Sequence, residues 1–211
     1  EGFVEVACGG RSDKDGMEGQ GTNISNLANV PAEIMEIDHP IKVLDYGFPQ
    51  DTEGAGQFRG GLGLRRSYEF LDDEIMVQVR FDRCTQPPWG LFGGESAAPP
   101  RVVVNAKGSN ERVMPKKFRA TFNNGDRLDV QWCGAGGYNA PLDREPAWVL
   151  EDVIAEEVSR QRAHDIYGVV IEAEARSVNL KATEELRNRK RREQAADPHR
   201  EGTAERLKIK N

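Results

Sequence analysis

Short apolar runs alternate with polar turn residues through the middle of the chain, from about residue 30 to residue 141. Within these runs, apolar and polar positions alternate or β-branched and aromatic residues accumulate, as in β-strands. The polar pairs Asp72-Asp73, Lys107-Gly108 and Asn124-Gly125 separate them, and Asn-Gly is a strong hairpin signal. The pattern therefore predicts strands over residues 64–70, 75–81, 101–104, 117–122 and 127–132.

The period changes to that of a helix after Pro141. In PAWVLEDVIAEEVSRQRAHDIYGVV, apolar residues recur at helical spacing near one face: Val149, Val153, Ile154 and Val158. Pro146 suits the first helical turn, because its missing N–H would have no partner there, and Gly168 suits a stop. We therefore predict an α+β fold in which a β-rich body is followed by C-terminal helices.

A third zone, residues 172–211, is polar throughout and is predicted to be helical or disordered. It contains a basic cluster that could bind nucleic acid or could line a solvated helix: Arg187, Arg189, Lys190, Arg191 and Arg192. The solvated helix is favoured, because neighbouring glutamates can form i,i+4 ion pairs with these bases. The predicted division is a domain over 1–171, followed by this partly mobile tail. Within that domain we expect a loop-rich lead-in (1–29), a β-rich body (30–141) and a helical part (142–171).

Composition narrows the functional classes. The 211 residues contain 29 Lys and Arg against 35 Asp and Glu, a net charge of -6, so general nucleic-acid binding is not expected. No apolar run approaches the ~20 residues of a membrane span and no signal peptide opens the chain, which predicts a cytoplasmic protein. Cys8, Cys84 and Cys133 lie far apart and predict neither a disulfide framework nor a zinc site. The start at Glu1 rather than Met predicts a fragment or a processed product.

Two glycine-rich runs, EGAGQFRGGLGL and CGAGGY, pose the question of a phosphate-binding loop. A Walker loop needs a Lys followed by a Ser or Thr directly after its last glycine, and neither follows Gly137. A dinucleotide fingerprint needs a helix to open at once, but Pro141 intervenes. We therefore expect these glycines to be architectural, permitting positive φ or close backbone approach.

Several motifs follow one another in a fixed order: DTEGAGQFRGGLGLRRSYEFL, PPWGLFGG, GDRLDVQWCGAGGYNAPLDREPAWVLEDVIAEEVS and YGVV, preceded by GGRSDKDG and NVPAEIMEIDHPIKVLDY. In this order, over about residues 9–170, they resemble the C-terminal part of the hydantoinase B family. That family includes one component of the ATP-dependent hydantoinases and 5-oxoprolinases and the related acetone and acetophenone carboxylases. Family members more often read GGGGYGDP where this chain departs at Cys133, Ala135, Asn139 and Ala140.

The resemblance implies part of an ATP-dependent hydrolase of a cyclic amide. A hydantoinase A-like nucleotide-binding subunit would phosphorylate the amide oxygen, and the hydantoinase B part would complete ring opening by water attack. ATP with Mg or Mn and a divalent metal are expected elsewhere in the complex, because the family's metal ligands lie in an N-terminal half absent from this sequence. No catalytic residue, bound cofactor or metal is assigned to this chain, which is predicted to be inactive alone.

One candidate substrate site emerges from the residues themselves. RFDRCTQPPWGLFGG concentrates Asp82, Arg83 and Trp89 between a strand and a glycine turn, and an arginine fork suits a carboxylate or phosphate. Arg59 in QFRGG is a candidate of the same kind. The alternative is that these charged residues pair with neighbours and Trp89 fills the core. The remaining polar candidates lack a third metal ligand or triad partners: Asp38-His39, His164 and Ser159.

Two functions of different classes stay open. In the first, the chain is part of the cyclic-amide hydrolase, with an ATP-dependent ketone carboxylase as a variant that uses another nucleophile. In the second, it is a non-catalytic structural or oligomerisation module of such a complex. Metal-ligand histidines in upstream sequence would favour the enzyme.

Overall fold

The computed structural model describes residues 7–21, 28–172 and 176–196. Its strands are β1 Ile41–Gly47, β2 Arg65–Phe70, β3 Ile75–Arg80, β4 Arg101–Val104, β5 Arg112–Val113, β6 Lys117–Phe122, β7 Arg127–Gln131, β8 Ile171–Glu172 and β9 Ser177–Val178. Its helices are α1 Ala32–Asp38, α2 Pro146–Ile154, α3 Arg160–Asp165 and α4 Leu180–Ala196, with a 3-10 turn at Pro141–Asp143. The α+β class is confirmed, and all five predicted strands are present to within one residue at each end.

A two-stranded ribbon with a bend at its middle organises the β-rich body. Its two halves are the antiparallel pairs β2–β7 and β3–β6. Across the bend, the Phe70 amide donates to the Asp126 carbonyl at 2.9 Å and the Gly125 amide to the Phe70 carbonyl at 2.8 Å. Asn124-Gly125 therefore makes a turn, with Gly125 at a φ of 83°. The predicted hairpin is wrong, because the strands on either side of this turn pair with different partners.

The bend brings two sheets face to face. One sheet has the strand order β1-β2-β7-β4-β5 and the other contains β3 and β6. Their facing sides share one hydrophobic core, in which the rings of Phe70 and Phe122 stack at 4.8 Å between centroids and those of Phe81 and Trp132 meet at 5.7 Å. Large aromatic side chains dominate the burial of apolar surface in such a core. The two-residue period of the sequence arises because alternate residues of a strand face this core.

The sequence pattern does not anticipate α1 or β1. Helix α1 contributes Met35 to the core and ends where the amide of His39 donates to the carbonyl of Met35 at 3.0 Å. Strand β1 lies at the edge of the larger sheet and pairs with β2, with an irregularity between Val43 and Asp45. Its burial alternates only over residues 41–44 and is lost after the irregularity, where Asp45 and Tyr46 are both exposed, so the strand carries no sustained two-residue pattern.

A second core lies between α2, α3 and the loop that holds Ala55. Val149, Val158 and Tyr167 are fully buried in it. The predicted apolar face is only partly correct, because Ile154 is 52% exposed. Helix α2 ends at Ile154, and Glu156 at a φ of 62° turns the chain before α3 begins.

Helices α2 and α3 form a layer that we call the helical layer. Helix α4 is attached to this layer through its basic side chains. Three of them donate to backbone carbonyl oxygens: Arg187 to Tyr167 (3.0 Å) and Arg144 (2.7 Å), Lys190 to Asp165 (2.9 Å), and Arg191 to Leu142 (3.2 Å). These three side chains therefore attach the helix as well as lining its solvated face, and Arg191 stays 50% exposed. The expected i,i+4 pairing is present at Arg189, which faces Glu193 at 3.9 Å.

The predicted mobile end of the tail falls on residues 197–211, outside the described residues. Helix α4 is 17 residues long and almost wholly polar. In the ranges that the structure describes, no helix is both long and apolar enough to cross a bilayer.

Arg187→Ala should lower the free energy of unfolding by about 2 kcal/mol, because two carbonyl oxygens lose charged donors. Urea unfolding followed by circular dichroism measures this. Arg192→Ala is the matched control, since Arg192 is exposed on the same helix. Equal midpoints for the two variants would show that Arg187 does not hold α4 in place.

Candidate functional site

Three glycine-containing loops meet backbone to backbone beside the two facing sheets, and we call their meeting point the glycine junction: residues 54–63, 89–94 and 134–137. The Gly54 amide donates to the Ala135 carbonyl at 2.8 Å across this junction. A Cβ built on Gly136 would lie 1.9 Å from the carbonyl oxygen of Trp89, closer than any real contact. Gly136 does not lie at positive φ, so the requirement for glycine is the close backbone approach. The geometry supports the expectation that this run is architectural.

The junction leaves a cleft of about 410 Å³. Its walls include the run 133–137 and, from the lead-in, Gly9 and Gly10. Among the described residues that line it, Arg83 is the single charged side chain. A cleft with backbone and apolar walls and one cation can accept a small molecule that carries a negative or strongly polar group.

Arg83 and Trp89 lie together at this cleft. The guanidinium carbon of Arg83 is 5.3 Å from the centroid of the Trp89 ring, within the range of a cation–π contact. In the described part of the chain no carboxylate forms an ion pair with Arg83. Trp89 is 60% exposed and does not fill the core, as the alternative interpretation required. Arg83 also has a φ of 60°, a conformation that is unfavourable for a residue with a side chain.

The other two predicted substrate residues lie elsewhere. Asp82 has a 90% exposed side chain and faces Lys117 Nζ at 3.4 Å. Arg59 is buried and surrounded by carboxylates, and it does not line the cleft. The structure thus brings together Arg83 and Trp89 but neither Asp82 nor Arg59.

Arg59 belongs to a buried ion-pair network around the carboxylate of Asp152. Arg59 Nε donates to Asp152 Oδ1 at 3.1 Å, and Arg144 Nε donates to Oδ2 at 3.0 Å. Arg144 then binds both oxygens of Asp15 at 2.7 and 2.8 Å. The network therefore connects the lead-in, the first glycine loop and α2.

The outer part of this network surrounds Arg59. Its guanidinium donates to Glu18 at 2.5 Å and to Glu157. Burial acts to lower the pKa of Arg59, but the carboxylates of Asp152, Glu157 and Glu18 raise it above its usual value. Burial raises the pKa of Glu157 despite the opposing effect of Arg59. Both guanidinium groups are thus paired with carboxylates, and neither Arg59 nor Arg144 is available to a ligand.

A second buried carboxylate, Glu53, directly precedes the first glycine loop. Its Oε1 accepts from Arg162 Nε at 2.6 Å and from the Tyr167 hydroxyl at 3.3 Å. Its Oε2 has no hydrogen-bond partner among the described residues. Burial raises the pKa of Glu53, although Arg162 acts to lower it.

The remaining polar candidates have structural positions. Ser159 caps α3 by accepting from the Arg162 amide at 3.0 Å, and His164 Nδ1 lies 2.7 Å from Asp165. His39 follows the last residue of α1. Over residues 7–21, 28–172 and 176–196, no group of three or more His, Cys, Asp or Glu side chains is placed to hold a metal ion. Burial raises the pKa of the Cys133 thiol in the cleft, so this cysteine is mostly protonated at neutral pH.

Sequence reasoning missed the network. Asp15 and Arg144 are 129 positions apart, so no local pattern relates them. The sequence contains only a weak signal for this network. Asp15 and Arg144 both lie in motifs that carry the family resemblance, GGRSDKDG and PLDREP, and neither motif shows a helical or strand period that would account for its charged residues.

The fold of this chain is shared with a solved enzyme. The crystal structure of the ATP-dependent caprolactamase from Pseudomonas jessenii matches 88% of this chain with a TM-score of 0.78 and 28% identity, over 33% of that chain. The model of the family described as hydantoinase B/oxoprolinase matches residues 2–141. The chain belongs to the hydantoinase B/oxoprolinase family.

Curated relatives agree with this assignment. A putative D-/L-hydantoinase component of a Pseudomonas species is 31% identical over 187 residues, which covers 88% of this chain and 31% of the relative. An uncharacterized protein of Methanocaldococcus jannaschii is 36% identical over 143 residues, covering 68% of this chain and 25% of the relative. The chain thus spans between about a quarter and a third of the length of these relatives.

Gly136→Val should lower the free energy of unfolding by about 1–3 kcal/mol, because the new side chain overlaps the Trp89 carbonyl. Gly47→Val is the matched control, since a Cβ at Gly47 would meet nothing within 4 Å and valine suits its strand. Thermal unfolding compares the two. A Gly136→Val variant as stable as the control would contradict the close-approach argument.

Glu53 should make stability decline with rising pH. Its pKa is raised above the ordinary 4.5, so the folded state holds a proton that the unfolded state has lost, and this contribution disappears as pH rises through the folded pKa. Glu53→Gln removes this titration. We expect the unfolding free energy of the wild type, relative to the variant, to fall as the pH rises above the ordinary glutamate pKa of 4.5 and through the raised folded pKa. A pH-independent difference in chemical denaturation would contradict the expectation.

Proposed function

We propose that this chain is part of an ATP-dependent cyclic-amide hydrolase of the hydantoinase or 5-oxoprolinase type that works in the cytoplasm. The observation that carries the proposal is family membership over residues 2–141, combined with a fold shared with an ATP-dependent caprolactamase. A hydantoinase A-like nucleotide-binding subunit and the remaining part of a hydantoinase B protein are the proposed partners. Neither a nucleic acid nor a membrane is a proposed partner.

The chemistry assigns different tasks to the parts of this assembly. A cyclic amide resists water because its nitrogen lone pair is delocalised into the carbonyl group. The nucleotide-binding partner, with ATP and Mg or Mn, would transfer a phosphate group to the amide oxygen of the substrate. This transfer would weaken the delocalisation. The divalent metal is proposed to lie in the remainder of the assembly, where the resemblance implies the family's metal ligands.

The part proposed for this chain is to supply one wall of the substrate site. The cleft presents the guanidinium of Arg83, from the turn after β3, and the exposed ring of Trp89, from the glycine junction. Arg83 would donate to a carboxylate or phosphate oxygen of the bound species, and Trp89 would cover an apolar ring face. Asp82 and Arg59 receive no substrate role, because their side chains are directed at Lys117 and at the buried network.

Arg83→Ala in the complete assembly should lower kcat/KM for amide hydrolysis roughly 10- to 100-fold, because a charged donor to the substrate is lost. ATP-dependent release of the ring-opened product from hydantoin, 5-oxoproline or caprolactam measures this. Arg101→Ala is the control, since Arg101 is exposed on β4. A kcat/KM within about twofold of the control would remove Arg83 from the substrate site.

The same assay separates the candidate functions. The chain alone, with ATP and Mg or Mn, should release no product above a matched blank. Bicarbonate-dependent carboxylation of a ketone by the assembly, without amide hydrolysis, would favour the carboxylase variant. An assembly of unchanged activity when this chain is removed would make it a non-catalytic module.

A further inference from the structure

One wall of the cleft comes from the lead-in, residues 7–21, which we call the strap. Gly9 and Gly10 of the strap line the cleft, and the Gly10 amide donates to the carbonyl of Gly136, another lining residue, at 2.9 Å. The shape of the cleft therefore depends on the position of the strap.

The strap is attached by polar contacts and by close backbone approach, since a Cβ built on Gly10 would lie 2.3 Å from the carbonyl oxygen of Phe58. Across its described residues, 7–21, none belongs to either hydrophobic core, and its largest apolar side chain, Met17, is 44% exposed. Its backbone is bound at two places to the first glycine loop: Gly61 N donates to the carbonyl of Cys8 at 2.9 Å, and Gly16 N to that of Arg59 at 2.8 Å. Segments with few buried apolar contacts open locally at lower free energy than cores do.

Two carboxylates of the strap reach the buried network. Asp15 binds both terminal nitrogens of Arg144 and also accepts from the Arg59 amide at 2.7 Å. Glu18 binds Arg59 at 2.5 Å. If Asp15 is removed, Arg144 keeps its bonds to Asp152, so the network inside the helical layer stays compensated.

We propose that Asp15 and Glu18 are positioning residues that lock the strap, and that the strap opens as a unit while both cores stay folded. Such an opening removes Gly9 and Gly10 from the cleft that Cys133 also lines, and we expect it to widen access to that half-buried thiol. The proposal depends on contacts alone and does not rest on the proposed function.

Native-state hydrogen exchange on the unmodified chain tests the independence of the strap. The amides of Cys8, Gly10 and Gly16 should exchange at least about 100-fold faster than those of β2 and β7, with little dependence on denaturant. Strap amides that exchange at the same rate as the β2 and β7 amides, with the same denaturant dependence, would overturn the proposal.

The lock is tested with Asp15→Ala and, as a matched control, Asp13→Ala, which changes an exposed carboxylate of the same strap. Asp15→Ala should accelerate exchange of strap amides and iodoacetamide alkylation of Cys133 about tenfold or more, with the β2 and β7 amides unchanged. Asp13→Ala should change neither. Unchanged Cys133 alkylation in Asp15→Ala, equal acceleration in the cores, or failure of that variant to fold would each overturn the proposal.

Discussion

The carboxylate of Asp152, shared between two buried arginines, is the interaction on which the arrangement of segments depends. It belongs to α2, while Arg59 comes from the first glycine loop and Arg144 from the exit of the 3-10 turn. A buried charge is tolerated only when it is paired, and loss of one partner costs several kcal/mol because the other charge remains. The three segments therefore keep one relative placement, and the strap is added to it through Asp15.

The glycine junction supplies rigidity of a different origin. Its loops approach so closely that a single Cβ at Gly136 would overlap a neighbouring carbonyl, which leaves the backbones little freedom to shift. Arg83 lies outside these loops, in the turn after β3, and reaches the cleft from there. Backbone contact thus fixes the shape of the cleft, and Arg83 supplies its charge.

The sequence predicts local structure well and long-range structure poorly, for a physical reason. The two-residue period locates the buried strands because it reports which face of each strand is covered. The period contains no information on which strands pair with each other. The sequence therefore predicts the turn at Asn124-Gly125 but not that the chain passes from one sheet to the other at that turn. Arg83 and Trp89 stand close together in sequence and lie together at the cleft. Arg59 finds its partner Asp152 93 positions away, and only the fold shows that it is buried.

The charge network also bears on where the structural unit ends. The family model stops at residue 141, which leaves Arg144, Asp152 and Glu157 outside it. Their partners Asp15, Glu18 and Arg59 lie inside the matched range. The part of the chain that the family model matches would contain Asp15, Glu18 and Arg59 of this network. Arg59 would then lack its acceptors Asp152 in α2 and Glu157 after it. The helical layer is therefore physically part of the same unit, consistent with a structural match to the caprolactamase that extends over 88% of the chain.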